Sequence, residues 1–428
     1  MRVCFFIFLS LWMVSRLEAN ELLFEEAIDK ALAASRQVKI ARLDSKLAST
    51  NTLQSAATMS PQVSLAWINT HYDSAIMVPF NGQNVTIRPQ EQSLGSLIVQ
   101  QPISPIIGLI QKIRADTKTQ KAAQAGFELS QVEIAFGGAQ AYRQIQQLSE
   151  LDRIAKGRVE LGEKQEHDAA AIFRAGRISK SDLLRVRMAL GQAKVGAASV
   201  HAQYEAALYA FKDLLGYELD ELVELSPLTS PLAPLQQIES GTEKTERLDI
   251  KVAKLTQEAA KENSWLSVAS FLPNFGAFAR IDKNFVDPGG FSVTTVYSIG
   301  LNLTWNIWDG GTRFLNLKSA SLMTSKAHLN YLTTMRNAAI DQEQKRLDLE
   351  AAKESLDLQK TMLEQSEESY RAAFTRFGNG AISVTDLLQS ELDLNNAKVG
   401  WAKAITDLDI KHMLLQKANG ARRPTSLL

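Results

Sequence analysis

Phe377-Gly378-Asn379-Gly380-Ala381-Ile382-Ser383-Val384-Thr385-Asp386-Leu387-Leu388 reads as one helix stopping and another starting within a few residues. Gly378-Asn379-Gly380 breaks the first helix. Ser383 is placed to cap the second, and Asp386 adds negative charge near its N-terminus. The same sentence is written earlier in the chain. Phe173 to Gly216 aligns without a gap on Phe377 to Gly420 at a constant offset of 204. Gly176-Arg177-Ile178-Ser179 lies over Gly380-Ala381-Ile382-Ser383, and Asp182-Leu183-Leu184 over Asp386-Leu387-Leu388. Ala193-Lys194-Val195-Gly196 recurs unchanged as Ala397-Lys398-Val399-Gly400. Fixed-period self-similarity of this kind marks a duplicated structural unit.

The openings of the two halves match as well, at an offset of 212: Val38-Lys39-Ile40-Ala41-Arg42-Leu43 corresponds to Ile250-Lys251-Val252-Ala253-Lys254-Leu255, and Pro61 to Pro273. The smaller later offset puts extra residues in the first copy, most simply in the loop Asp73 to Glu91. The chain divides accordingly. Residues 1–19 read as a leader, 20–225 as the first repeat, 226–241 as a linker with Pro227, Pro231 and Pro234, 242–420 as the second repeat, and 421–428 as a tail.

Each repeat opens with a helix, near Leu22 to Ala57 and Thr242 to Ser270, which a Pro ends. A β-hairpin follows, over residues 61–102 and 273–307. Its clearest strand is Val293 to Ile307. Val293, Thr295, Tyr297, Ile299, Leu301, Leu303, Trp305 and Ile307 share one mostly apolar face, and Thr294, Val296, Ser298, Gly300, Asn302, Thr304 and Asn306 share a mostly polar one. Asn274 to Asp282 is its partner through a turn at Asp287-Pro288-Gly289-Gly290. In the first copy Val63, Leu65 and Trp67 alternate with Gln62, Ser64 and Ala66, and Leu94 to Gln101 returns with a blurred pattern. Four strands close no pore alone; three chains supply twelve, enough to enclose a water-filled barrel. On that reading Trp67, Tyr72, Phe275, Tyr297, Trp305 and Trp308 are candidate membrane-girdle aromatics; in a soluble sandwich the same residues are core.

A long helical region follows each hairpin. Ile106 to Phe173 holds no Pro, and some 60 helical residues reach about 90 Å. In the closing helices Leu387, Leu394, Trp401, Leu408 and Leu415 recur every seven residues, as do Leu183, Leu190, Ala197, Tyr204 and Phe211 at the matching places. A sustained seven-residue repeat winds helices around one another. Residues 173–183 and 375–386 are then helix–turn–helix tips.

Composition narrows the function. Of 428 residues, 47 are Lys or Arg and 47 are Asp or Glu, which leaves no basic excess to neutralise phosphates and no reason to expect a nucleic-acid partner. Arg2, the apolar run Val3 to Val14 and Leu17-Glu18-Ala19 have the layout of a secretory signal. The one cysteine, Cys4, falls inside it, so the mature chain is expected to carry no disulfide, no cysteine metal site and no lipid-anchor thiol. Past residue 19 no run of about 18 apolar residues appears, so no transmembrane helix is expected, which leaves a barrel open. His71, His167, His201, His328 and His412 are scattered, and no nucleophile elbow, phosphate loop or zinc motif is present, so neither an enzyme nor a cofactor is signalled.

Three further features complete the picture. Ser60-Pro61-Gln62-Val63 and Leu272-Pro273-Asn274-Phe275 open the hairpins. Trp305-Asn306-Ile307-Trp308-Asp309-Gly310-Gly311 leaves the last strand. With the tip segment Phe377 to Leu388, these resemble the TolC-like outer membrane efflux protein family over nearly the whole mature chain. That resemblance implies a mainly α fold with a small β part: a homotrimer whose twelve strands form one outer-membrane β-barrel in contact with lipid, and whose helices form a periplasmic α-helical barrel. It implies docking on a periplasmic adaptor and an inner-membrane pump of RND or ABC type, in a Gram-negative outer membrane, with no cofactor. The tips Gly176, Ser179, Gly380, Ser383, Leu387 and Leu388 are candidates for adaptor docking. In the family, acidic residues after the second tip form entrance rings. Asp386 matches one such position and Gln389 stands at the other, with Asp182 and Arg185 as the first-copy candidates; Asp386 and Asp182 serve equally as helix-start residues. Arg185 and Arg187 are candidates to pair with acidic groups and hold the tip closed. The competing reading is a periplasmic coiled-coil adaptor or scaffold, which has one helical hairpin and a larger share of β structure.

Overall fold

A computed structural model describes residues 21–103, 105–228, 231, 246–286 and 294–424. The leader with Cys4, most of the linker, the turn Asp287–Gly290 and the end of the tail lie outside these residues. In chain order the elements are α1 (Phe24–Ala34), α2 (Arg36–Ala57), β1 (Gln62–His71), β2 (Ile76–Phe80), β3 (Gln83–Arg88), β4 (Glu91–Pro102), α3 (Pro105–Arg174), α4 (Lys180–Leu215), α5 (Leu248–Ala269), β5 (Asn274–Asn284), β6 (Thr295–Thr304), α6 (Thr312–Gly378) and α7 (Val384–Ala418).

The chain forms two compact units, and neither is a repeat. One unit comprises residues 37–131 and 245–341, the other residues 1–36, 132–244 and 342–428, so each draws on both copies. In the first, β1, β4, β5 and β6 form a four-stranded sheet in that order, antiparallel throughout. The two hairpins join where β4 pairs with β5, Leu97 opposite Ile281 and Val99 opposite Ala279. The helices of this unit are tied by polar contacts: Ser45 Oγ donates to Gln124 Oε1 at 2.9 Å, and Lys118 bridges to Glu258 at 2.5 Å. Alanines 115, 122, 125 and 259 are buried in this unit.

The second unit holds most of the larger buried side chains. Leu228, Leu349, Leu356, Ile405 and Leu408 form one cluster with Trp401 and Leu415 at its margin. Phe24 meets Tyr142 edge-on at 5.7 Å, and Phe211 lies 6.4 Å away on its other side. The Tyr142 hydroxyl bonds the Leu22 carbonyl at 2.9 Å and Ser226 Oγ at 2.8 Å. Leu22 in turn bridges Leu225 in parallel, its N–H donating to the Glu224 carbonyl at 2.8 Å. The start of the described chain and the end of the first repeat are thereby fastened to α3. Beside them Arg143 on α3 forms a buried ion pair with Asp409 on α7, and Arg143 Nη1 donates to Gln146 Oε1 at 2.7 Å.

Some expectations need correction. The helix read over Leu22 to Ala57 is two helices, because Ser35 leaves helical geometry at ψ 117. The loop Asp73 to Glu91 is a second hairpin, β2–β3. Asn81 and Gly82 turn it at φ 50 and 83, the two positive angles of a tight hairpin turn for which Asn-Gly is the favoured pair. β6 ends at Thr304, so Trp305 and Ile307 lie past the ladder. The opening helix of the second repeat starts at Leu248. The long helix extends slightly beyond its expected limits, to 70 residues, with Pro105 at its first position, where a missing N–H costs no bond.

Candidate functional site

Directly opposed residues of antiparallel strands share a face. Register therefore assembles one apolar surface across all four strands of the sheet. Leu65, Leu97, Ile281 and Tyr297 form one row; Val63, Val99, Ala279 and Ile299 form the next. Ala277 with Leu301 and Phe275 with Leu303 continue it on β5 and β6. This face lies open in the single chain: Leu65 is 78% exposed, Ile299 88% and Leu301 67%. The opposite face carries Gln62, Ser64, Ser96, Gln100, Arg280, Asp282, Ser298 and Asn302. There Arg280 Nε donates to Asp282 Oδ1 at 2.7 Å, and Ser96 Oγ also bonds Asp282. The blurred pattern of β4 has its cause here, since Leu94 and Ile98 sit among the polar residues. The strands run 10, 12, 11 and 10 residues, and β1 and β6 are edges with no strand partner among the described residues.

The aromatic candidates distribute unevenly over this surface. Trp67 and Tyr297 stand on the apolar face toward the β1–β2 end, 73% and 75% exposed, and Trp67 Nε1 donates to Ser93 Oγ at 2.8 Å. Phe275 lies at the other end of the same face, opposite Leu303. Trp305, just past the ladder, donates to the Phe271 carbonyl at 3.3 Å, and Trp308 is exposed. Tyr72 differs: it lies beneath the Arg88 guanidinium, 4.2 Å from its ring, and belongs to the β2–β3 hairpin base.

The two tips are one structure made twice. Gly176 and Gly380 take φ 73 and 72, a left-handed conformation that favours glycine, and end α3 and α6. Arg177 N–H closes on the Ile172 carbonyl at 3.1 Å, and Ala381 N–H on Arg376 at 2.9 Å. Ser179 and Ser383 then cap α4 and α7 in matching capping boxes. Ser383 Oγ accepts from Asp386 N–H at 3.2 Å, and Asp386 Oδ2 accepts from Ser383 N–H at 3.1 Å. Asp182 and Ser179 repeat the pair at 3.1 and 3.2 Å. The Ser383 hydrogen bonds hold the Asp386 carboxyl below the usual carboxylate range, and Ser179 does the same for Asp182.

The tips pack against each other through Ala169, Leu183, Val186 and Val384, with Ile178, Phe377 and Leu388 at the margin. Leu387 is 4% exposed. Of the docking candidates, Leu387 is thus buried and Leu388 half-buried at the margin of this cluster, while Ser383 stays exposed. Arg185 Nη1 donates to the Thr385 hydroxyl at 2.7 Å and so ties α4 to α7, not through an acidic group as expected. Arg187 does take an acid, Glu166, at 2.8 Å. Gln389 donates to Asp393 one turn on, at 2.9 Å. The seven-residue stripe points inward: Leu183, Phe211, Leu387, Leu394 and Leu408 are buried. Two features escaped the sequence reading. Asp409 directly follows a stripe leucine, and Glu391 lies between two; an acid beside a stripe position was the only signal for either.

Comparison with known proteins bears on this arrangement. Residues 241–421 match the family model described as outer membrane efflux protein. No curated protein matches the chain. Among solved structures, the Campylobacter jejuni CmeC outer membrane channel aligns with TM-score 0.78 at 17% identity, over 94% of this chain and 86% of that one. The outer membrane protein VceC of Vibrio cholerae aligns with TM-score 0.77 at 19% identity, over 93% and 96%. The Neisseria gonorrhoeae MtrE outer membrane channel, in its open state, aligns with TM-score 0.73 at 18% identity, over 95% and 91%.

Proposed function

From a chain that carries an outer membrane efflux protein domain over residues 241–421 on the fold of the TolC-like channels, we infer that three copies join into a conduit through the outer membrane. The protein is an outer-membrane efflux channel. The observation that carries the trimer is the two-faced sheet with two free edges. Its apolar face buries no core in the single chain, its strands of 10 to 12 residues are long enough to cross a bilayer, and its other face is polar enough to border water. Joining β6 of one copy to β1 of the next satisfies both edges, which hydrocarbon requires. Trp67, Tyr297, Phe275 and Trp305 then lie near the two lipid–water boundaries.

In the same reading the paired tips meet a periplasmic adaptor, which couples the channel to an inner-membrane pump of RND or ABC type. Energy comes from the pump, and the channel chain catalyses nothing. Docking falls to the exposed turns around Gly176, Ser179, Gly380 and Ser383. Asp386 is exposed and ionised while it caps α7, so capping and a place at the entrance are compatible. A periplasmic adaptor finds no support in the sheet, whose open apolar face is unsuited to water. Membrane fractionation with native mass measurement tests the proposal. The expected result is a trimer released from the outer membrane only by detergent; a monomer in the soluble periplasmic fraction overturns it.

A further inference from the structure

Glu391 stands where the α7 stripe asks for an apolar side chain. Leu387 precedes it by one turn and Leu394 follows by one; they are 4% and 7% exposed, and Glu391 itself is 6% exposed. Its Oε2 accepts from Gln165 Nε2 of α3 at 2.7 Å. Gln165 is hydrogen bonded in turn to Tyr370 of α6. Three helices thus converge on one carboxyl, about two turns beyond the Ser383 cap. No ion pair joins Glu391 to a Lys or Arg among the described residues. The charged and titratable groups facing it are Arg158 from α3, Tyr370 and Glu367 from α6, and Lys398 from α7 itself, most of them around an adjoining cavity of about 410 Å³. Glu150 and Arg153 also border that cavity and are paired with each other at 2.6 Å.

We propose that Glu391 makes the seam of α7 against α3 and α6, behind the second tip, sensitive to pH: the protonated carboxyl seals the seam, and the carboxylate draws water from the cavity and loosens it. A carboxylate with one neutral hydrogen-bond donor in a largely dry seam is poorly solvated, and its cheapest relief is hydration. Burial raises the Glu391 pKa, while the Gln165 bond and the Arg158 charge pull it back. The packed state therefore prefers the neutral acid. Its contribution is complete below the ordinary glutamate range, about pH 4.3, and is lost as pH rises through the raised value. The Asp182 and Asp386 caps act with the opposite sign and at lower pH, because their carboxyls are held below the usual range. Above pH about 5 the caps stay fully ionised, and the difference between wild type and Glu391→Gln, which share His167 in the α3 stretch, isolates Glu391. A consequence for transport, a tip more compliant at neutral than at acid pH, rests on the channel reading; the seam does not.

Hydrogen exchange on the full-length protein in detergent tests this, read over residues 160–170 and 384–398 between pH 5 and 8 and corrected for intrinsic rates. Wild type is expected to lose protection severalfold as pH rises, and Glu391→Gln, which keeps the shape and the amide bond, to stay flat. Gln165→Leu removes the donor that favours the carboxylate and is expected to move the midpoint upward. It carries the test alone if Glu391→Gln does not assemble. Wild-type protection that is independent of pH, a Gln variant with the wild-type response, or an unmoved Gln165→Leu midpoint overturns the proposal. Each outcome reads the seam alone, so a protein that conducts nothing still decides it.

Discussion

Single charged residues are set in this chain by what they touch. Arg143 and Asp409 are 3% and 2% exposed in their side chains. Removing one partner strands a charge in a dry site, which costs about 3–5 kcal/mol, whereas exchanging both for packed apolar side chains is near neutral. Asp409→Ala is therefore expected to lower the unfolding midpoint sharply, and Arg143→Met with Asp409→Leu to restore most of it in thermal melts. Asp386 is the contrary case, an exposed carboxylate whose hydrogen bonds serve the helix start. If it also lines an entrance near a threefold axis, Asp386→Asn weakens cation selectivity in single-channel recordings. Unchanged selectivity leaves it only the cap.

At the scale of elements, the sheet is the part that the proposed channel sets in lipid. Ile299 and Ser298 are neighbours on β6 with opposite faces. Ile299→Lys places a charge on the apolar face, at a cost of about 2–4 kcal/mol near a bilayer midplane. It is expected to reduce the trimer recovered from outer membranes, while Ser298→Lys, on the polar face, leaves recovery near wild type. Equal losses from both would assign the sheet two buried faces and remove the barrel. Much of this was legible beforehand. The strict alternation of Tyr297, Ile299, Leu301 and Leu303 identifies β6 without a structure. The Ser–Asp spacing foretells both capping boxes, and the seven-residue stripe foretells which leucines turn inward. β4 was blurred because Leu94 and Ile98 occupy its polar face, so only register reveals Leu97 and Val99 as part of the apolar one. The β2–β3 hairpin occupies the segment that the length difference between the copies marks as extra loop, although Asn81-Gly82 announces its turn. Leu387 and Leu388 are docking candidates in the sequence because a tip looks exposed in one dimension; in the fold Leu387 is buried and Leu388 packs at the margin of the cluster that the two tips share.

For the whole molecule, the duplication and the compact units are different divisions of one chain. The repeats run in sequence, 20–225 and 242–420, while each unit takes segments from both. The β4–β5 pairing shows why: the first hairpin finds its neighbour in the second repeat, so neither copy completes its sheet alone. The four-stranded sheet is in the same position, with β1 and β6 as edges without a strand partner among the described residues, and the proposed trimer extends that logic from repeats to chains. Single-channel recording in a planar lipid bilayer, with protein purified from the outer membrane, tests the account most directly. It predicts discrete conductance steps carried by a species of three chains. Protein that leaves the bilayer silent and remains a soluble monomer contradicts it.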